Sequence, residues 1–291
     1  MIGIIGGTGL YAIPGLTDEA WRRVDSPFGA PSDELLFGRL GDHDVVFLPR
    51  HGRGHRIPPH EIPFRANIDA LKRAGATTVL SISAVGSLRG ELSPGTFVLV
   101  DQFIDRTLRG PKTFFGTGCV AHVSMAHPTC ARLRGELLAA GAGLGMPIVP
   151  VGTYVAMEGP QFSSAAESAM HRTLGGDVIG MTNMPEAKLA REAELCYATV
   201  AMVTDFDCWH PDHDHVVVEH VVAVLHANAD HARALVAAAI PRLGALDPAC
   251  PHGCDRALDF AILTAPAARD PALVHQLDAV AGRVLRPSAQ S

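Results

Sequence analysis

Short apolar runs closed by glycine, proline or acids alternate along this chain with longer stretches whose apolar residues recur at helical spacing. Residues 2–5, 44–48, 77–82, 97–100, 147–151, 177–179 and 197–203 have the length and apolar content of buried strands. Between them, residues 62–73, 129–142, 164–174 and 185–194 carry helical spacing, and residues 216–240 form the strongest such stretch. This alternation from end to end predicts an α/β fold: a single domain with a central twisted mixed β-sheet flanked by helices. No Gly/Ser-rich or Pro-rich linker divides the chain. After about residue 245 it turns Pro- and Cys-bearing and then Ala-rich, so residues 1–245 read as the domain and 246–291 as a C-terminal extension packed on it.

One strand ends in an unusual way. The apolar run 196–203 is followed by Thr204, Asp205, Phe206 and Asp207, placing two acids one residue apart at a buried strand end. Burial there costs several kcal/mol unless a carboxylate is paired, hydrogen-bonded or left protonated. A carboxyl that keeps its proton near neutral pH can donate it to a leaving group.

Composition narrows the class. A chain of 291 residues with net charge −6 can bury a substantial core and carries no Lys/Arg block, so nucleic acid is not expected as a partner. No 18-residue apolar stretch could span a membrane, and Met1 leads directly into residues 2–6 without a charged and apolar leader. A cytoplasmic location is expected. Of six cysteines, Cys119, Cys130, Cys196 and Cys208 are widely scattered, in keeping with reduced thiols. Cys250 and Cys254 enclose a tight loop that could close a small disulfide or supply two metal ligands, with His252 the only obvious further donor nearby.

Three strand ends favour anions. Residues 6–10 (Gly-Gly-Thr-Gly-Leu) expose backbone N–H groups and the Thr8 hydroxyl. Their match to a dinucleotide fingerprint is weak, because Pro14 breaks the helix that should follow and no second strand ends in an acid at the required distance. Residues 50–56 hold three arginines and two histidines with no acid beside them. Arg50 could grip phosphate bidentately, with His51 adding a charge-assisted bond. Residues 81–88 bring small and hydroxyl side chains, including Ser83 and Ala84, to a third strand end. Phe162 could stack on a planar base, and Met181 could lie under a sugar ring, although core packing explains either residue type as readily. The His-rich run 210–215 could bind a divalent ion, but His213 and His215 are only two apart and do not specify zinc geometry.

Taken in order, residues 6–10, 50–53, the segment around Asn67, and residues 83–88, 101–107, 158–164, 181–186 and 204–209 resemble the trimeric purine nucleoside phosphorylase family. The resemblance is specifically to its 5′-methylthioadenosine phosphorylase branch, and it covers roughly residues 1–245. It implies cleavage of a purine nucleoside by inorganic phosphate, which is co-substrate, with no metal or organic cofactor. It further implies phosphate among Thr8, Arg50, His51, Ser83, Ala84 and Thr182, with Met181 under the ribose. Phe162 and Phe206 would then lie by the purine.

By the same resemblance Asp205 would protonate purine N7 and Asp207 would accept from the 6-amino group. Members acting on 6-oxopurines are expected to carry Asn where a donor must face O6, so aspartates at both positions suit a 6-aminopurine. A histidine that bonds the 5′-hydroxyl in other members is replaced here by Val218. With Val222 one turn on, and Ser163, this favours an apolar 5′-methylthio group. His122 matches a residue that reaches a neighbouring subunit's 5′ pocket, which implies a homotrimer. Adenosine, methylthioinosine and 6-oxopurine nucleosides are the alternative substrates.

Overall fold

Residues Ile4, Val45, Leu80, Ala198 and Val200 face one side of the sheet and Ile5, Val46, Val79, Tyr197 and Ala201 the other, the two-residue alternation of strands buried on both faces. The computed structural model describes residues 1–7, 10, 12–210 and 218–286, and only the backbone at 218–220, 225 and 227. Among them eleven strands form one sheet. In chain order these are β1 (Ile2–Gly6), β2 (Leu16–Arg22), β3 (Leu35–Leu40), β4 (His43–Pro49), β5 (Thr78–Ser87), β6 (Phe97–Leu99), β7 (Gln102–Asp105), β8 (Ile148–Val149), β9 (Thr153–Ala156), β10 (Val178–Gly180) and β11 (Cys196–Asp205). The helices are α1 (Phe64–Arg73), α2 (Ala131–Gly143), α3 (Ala165–Thr173), α4 (Asn183–Glu192), α5 (Val218–Gly244), α6 (Pro271–Gln276) and α7 (Gly282–Leu285).

The expected mixed sheet is present: β1 runs parallel to β4 and β5, and β5 parallel to β11, whereas β3–β4, β2–β3, β5–β10 and β6–β11 are antiparallel. Helices α2 and α5 cover one face through Leu133, Leu137, Leu235, Val236 and Ile240. On the other face α1 and α4 supply Ile68, Leu71, Ala187, Leu189 and Ala190. Four strands escape the apolar-run reading. β2 and β7 end the main strand path, and β2 shows no fully buried residue. β3 carries Gly38 and Arg39, and β9 has only four residues. Residues beyond 245 join the same clusters through Cys250, Cys254, Leu258, Leu277 and Val280.

β5 positions the site. One edge pairs with β11 from Thr78 to Gly86. The other edge pairs with β1 at residues 78–81 and with β10 at residues 86–87. Between those partners residues 82–85 have no strand on that edge among the described residues. The sheet splits there, and ligands in open α/β sheets collect where strand partners diverge at their carboxyl ends.

Candidate active site

The split in the sheet opens into a cavity of about 310 Å³ lined by Gly7, Arg50, His51, Ser83, Ala84, Met181, Thr182, Asp205 and Asp207. Its apolar wall holds Leu10, Met157, Phe162, Val221 and Val222. Residues on or just past β1, β4, β5, β9, β10 and β11, and others on α5, therefore converge on one hollow.

Arg50 follows β4 directly, and its backbone N–H donates to Gly6 O at 3.0 Å, tying the second anion loop to the first. Its side chain is 2% exposed. Nε donates to Glu186 Oε2 at 2.8 Å, one terminal nitrogen donates to Ser81 Oγ and Glu186 Oε1, and the other donates to Ile82 O at 3.0 Å. A guanidinium has five N–H groups, so a single one remains for a ligand. The bidentate phosphate grip expected of Arg50 is thus corrected: the two-pronged bond goes to Glu186. Around Glu186, Ser81, Asn183 and Tyr197 complete a buried network, with Tyr197 donating to Oε1 at 2.9 Å and Ser81 at 2.6 Å.

The positive field expected of residues 50–56 is also reduced, because acids distant in sequence arrive in space. Arg53 is paired with Asp33 at 2.7 Å and Glu34 at 3.0 Å, and Arg56 lies 3.8 Å from Asp33. His51 stacks on His55 with ring centroids 4.1 Å apart, and its Nδ1 is 2.8 Å from Ile57 O. A carbonyl only accepts, so Nδ1 carries a proton and Nε2 of the neutral ring is an acceptor. Burial pushes His51 down to about 4, with Arg50 and His55 adding to the effect. The ring is therefore neutral near pH 7, not the charged donor expected. What the hollow offers an anion is mostly neutral: the Ser83 and Thr182 hydroxyls, 3.1 Å apart, and the open edge of β5.

The same cavity holds the acid pair. The register of β11 against β5 slips between Val203 and Asp205, an irregularity that re-aims the side chains after it. Asp205 then rests against Gly86, where a Cβ would stand 2.9 Å from Oδ1. Oδ1 accepts from the Asp207 N–H at 2.8 Å, and Oδ2 lies 2.7 Å from Thr204 Oγ1. That hydroxyl also lies 3.1 Å from Val85 O. Its single proton serves either acceptor, with the hydroxyl as the donor in both geometries. Burial pushes the Asp205 carboxyl up in pKa, opposed by these bonds and reinforced by Asp207. Asp207 is 4% exposed, adopts a positive φ of 52° and keeps Oδ2 without a protein partner. An unpaired acceptor beside a cavity is a group prepared for a ligand donor.

The remaining expected residues divide. Phe162 and Val222 line the cavity, 44% and 41% exposed. Met181 fits because Gly159, at φ +68°, has no Cβ; one would come 2.5 Å from the Met181 sulfur. Phe206 turns instead onto His210 and Trp209, with centroids 4.5 and 6.0 Å away. The Ser163 hydroxyl points at the Met157 sulfur at 3.8 Å, one layer behind the wall. Neither Phe206 nor Ser163 lines the hollow. His122 is exposed on a loop, its N–H bonds Ala261 O, and it does not line the cavity. Thr8, residues 211–215 and the Val218 side chain lie outside the described residues. Sequence reading missed Tyr197, the pairing role of Glu186, and Tyr154, whose hydroxyl lies 3.4 Å from Ser83 Oγ and accepts from Thr182 N–H at 3.4 Å. Glu186 entered only as part of the 181–186 segment of the resemblance, and a lone acid there was the available signal.

Comparison with known proteins gives the same direction. The phosphorylase superfamily profile matches residues 1–241. The S-methyl-5′-thioadenosine phosphorylase of Cereibacter sphaeroides is 60% identical over 286 residues, covering 98% of this chain and 99% of that one. That of Bradyrhizobium diazoefficiens is also 60% identical, over 98% of each chain. Among solved structures, a methylthioadenosine phosphorylase from an Antarctic soil metagenomic library superimposes with a TM-score of 0.89 at 44% identity, covering 96% of this chain and 98% of that one. Fold, motif order and full-length identity agree: this chain belongs to the phosphorylase superfamily, within its S-methyl-5′-thioadenosine phosphorylase branch.

Proposed function

We infer that the chain catalyses phosphorolysis of 5′-methylthioadenosine to adenine and 5-methylthioribose 1-phosphate. The observation that carries this reading is that Asp205 and Asp207 line one hollow together with Ser83, Ala84 and Thr182. A phosphate oxygen attacks C1′ while the C1′–N9 bond breaks and its electron pair moves into the purine. Positive charge on the sugar is stabilised by the phosphate below it, and the purine's negative charge is neutralised at N7 by the Asp205 proton. Asp207 Oδ2 accepts from the exocyclic 6-amino group. Ser83, Ala84, Thr182 and Thr8 hold the phosphate with the remaining Arg50 N–H, while neutral His51 Nε2 accepts from a phosphate hydroxyl. Met181 and Phe162 pack on the sugar and base. Val221 and Val222 line an apolar wall that suits a methylthio group.

The proposal extends to a cytoplasmic homotrimer. Leu263 N–H bonds Val120 O beside His122, and Phe260, Leu263 and Val120 are 98%, 68% and 40% exposed, an apolar surface fit for a neighbouring copy. All six cysteines are unpaired, in keeping with a reducing compartment. No helix among the described residues is long and apolar enough to cross a membrane. The test is a side-by-side comparison of 5′-methylthioadenosine, adenosine, methylthioinosine and inosine with phosphate. The methylthio 6-amino compound should have the highest kcat/KM; preference for either inosine compound would overturn the role given to Asp207.

A further inference from the structure

Cys130, Cys196 and the Cys250–Cys254 loop stand far apart in sequence, yet the four sulfurs lie within 4.8 Å of one another and all four residues are buried. They come from three parts of the fold. Cys130 precedes α2, and its N–H donates to Tyr197 O at 2.7 Å, holding the helix start against β11. Cys196 opens β11. Cys250 and Cys254 belong to the C-terminal extension, where Gly253 at φ +67° and its N–H bond to Cys250 O fold the loop back. The tight Cys250–Cys254 loop lacked ligands in sequence; the fold supplies two from elsewhere.

We propose that these four cysteines bind one zinc ion as a structural tetrathiolate site. With Zn–S bonds of about 2.3 Å, the sulfurs of a tetrahedral site lie about 3.8 Å apart. Cys130 and Cys250 sulfurs are 3.7 Å apart, which matches that edge, whereas a disulfide requires about 2.05 Å. Four sulfurs this close surround a single ion and leave no space for a polynuclear cluster. A closed set of four protein ligands leaves no open position for substrate, so the site is structural and separate from the cavity. Arg132 lies on the rim, one terminal nitrogen 3.8 Å from Cys196 Sγ and the other donating to Asp247 O and Ala249 O. It offsets the excess negative charge that four thiolates leave around a divalent ion. The ion joins the extension to the start of α2 and to β11, the strand that carries Asp205 at its far end.

The test is elemental analysis of the purified full-length protein after gel filtration in metal-free buffer. One zinc per chain is expected, released on titration with an organomercurial. Refolding with cobalt should give the ligand-field absorption of a tetrahedral thiolate site. Cys254→Ser should lose the zinc, Arg132→Ala should bind it about 10–100-fold more weakly, and Cys119→Ser, outside the cluster, should retain it. Should Cys254→Ser fail to fold, the wild-type metal content and cobalt spectrum still decide. Protein without zinc, whether its thiols are free or paired as disulfides, or protein with iron in its place, overturns the proposal.

Discussion

Arg50 and Glu186 are held 2.8 Å apart with side chains 2% and 3% exposed, so the cation nearest the anion-favouring hollow is already neutralised from beneath. The pair fixes the guanidinium plane and leaves one N–H for a ligand. Arg50 is thereby a positioned donor whose charge is largely balanced before phosphate arrives.

Removing Glu186 should strand a buried guanidinium. Glu186→Ala is expected to lower stability by about 3–5 kcal/mol, read from urea unfolding. Arg50→Met combined with Glu186→Leu should be less destabilising than the sum of the single changes, because the double variant leaves no unpaired charge. Strict additivity would show that the pair is not coupled.

Asp205→Asn should fold normally and reduce kcat by at least about 100-fold, the lower range for a positioned acid. The direction of the Asp205 shift also sets a pH profile. Its carboxyl stays protonated to a higher pH than an ordinary aspartate, so kcat/KM should fall on the alkaline side as that proton is lost. The variant should lack this limb. Near-normal turnover would remove Asp205 from the chemistry.

Asp207→Asn replaces the unpaired acceptor with a side chain able to donate. The preference for 5′-methylthioadenosine over methylthioinosine, measured as a kcat/KM ratio, should drop by at least about 100-fold. An unchanged ratio would mean that Asp207 does not read the purine 6-position.

Glu192 offers a test of stability apart from the site. Its carboxyl accepts from Phe114 N and Thr113 Oγ1, each at 2.7 Å, and burial pushes it up to about 7 from an ordinary 4.5. Between those values the unfolded chain has released this proton and the folded protein has not. The stability this group contributes is full below about pH 4.5, declines as pH rises to about 7 and then levels off, about 3 kcal/mol in all. Unfolding midpoints at pH 5 and pH 8 should therefore differ by more in the native protein than in Glu192→Gln. Equal pH dependence would contradict the buried, protonated carboxyl.

Much of the fold could be read directly. The apolar runs that became β1, β4, β5 and β11 are strands buried on both faces, where every residue contributes to the signal. The edge strands β2 and β7 bury little and leave only a faint pattern. α4 opens with extended geometry at Met184 (φ −122°, ψ 131°), so its regular turns start at Pro185, as the spacing indicates. At the site, residue types pointed to strand ends that meet in one cavity but not to their partners. Charge balance at Arg50, Arg53 and Arg56 depends on Glu186, Asp33 and Glu34, and the last two belong to the segment before β3. The meeting of Cys130 and Cys196 with the Cys250–Cys254 loop is likewise a property of the fold, since no spacing along the chain encodes it.

In the proposed reaction phosphate, not water, takes the sugar. The most direct measurement is adenine release from 5′-methylthioadenosine as inorganic phosphate is raised from zero, with the sugar product identified by mass. Release should be negligible without phosphate, saturate as phosphate is added, and yield 5-methylthioribose 1-phosphate in equal amount to adenine. Adenine appearing at full rate without phosphate, alongside free methylthioribose, would contradict the account.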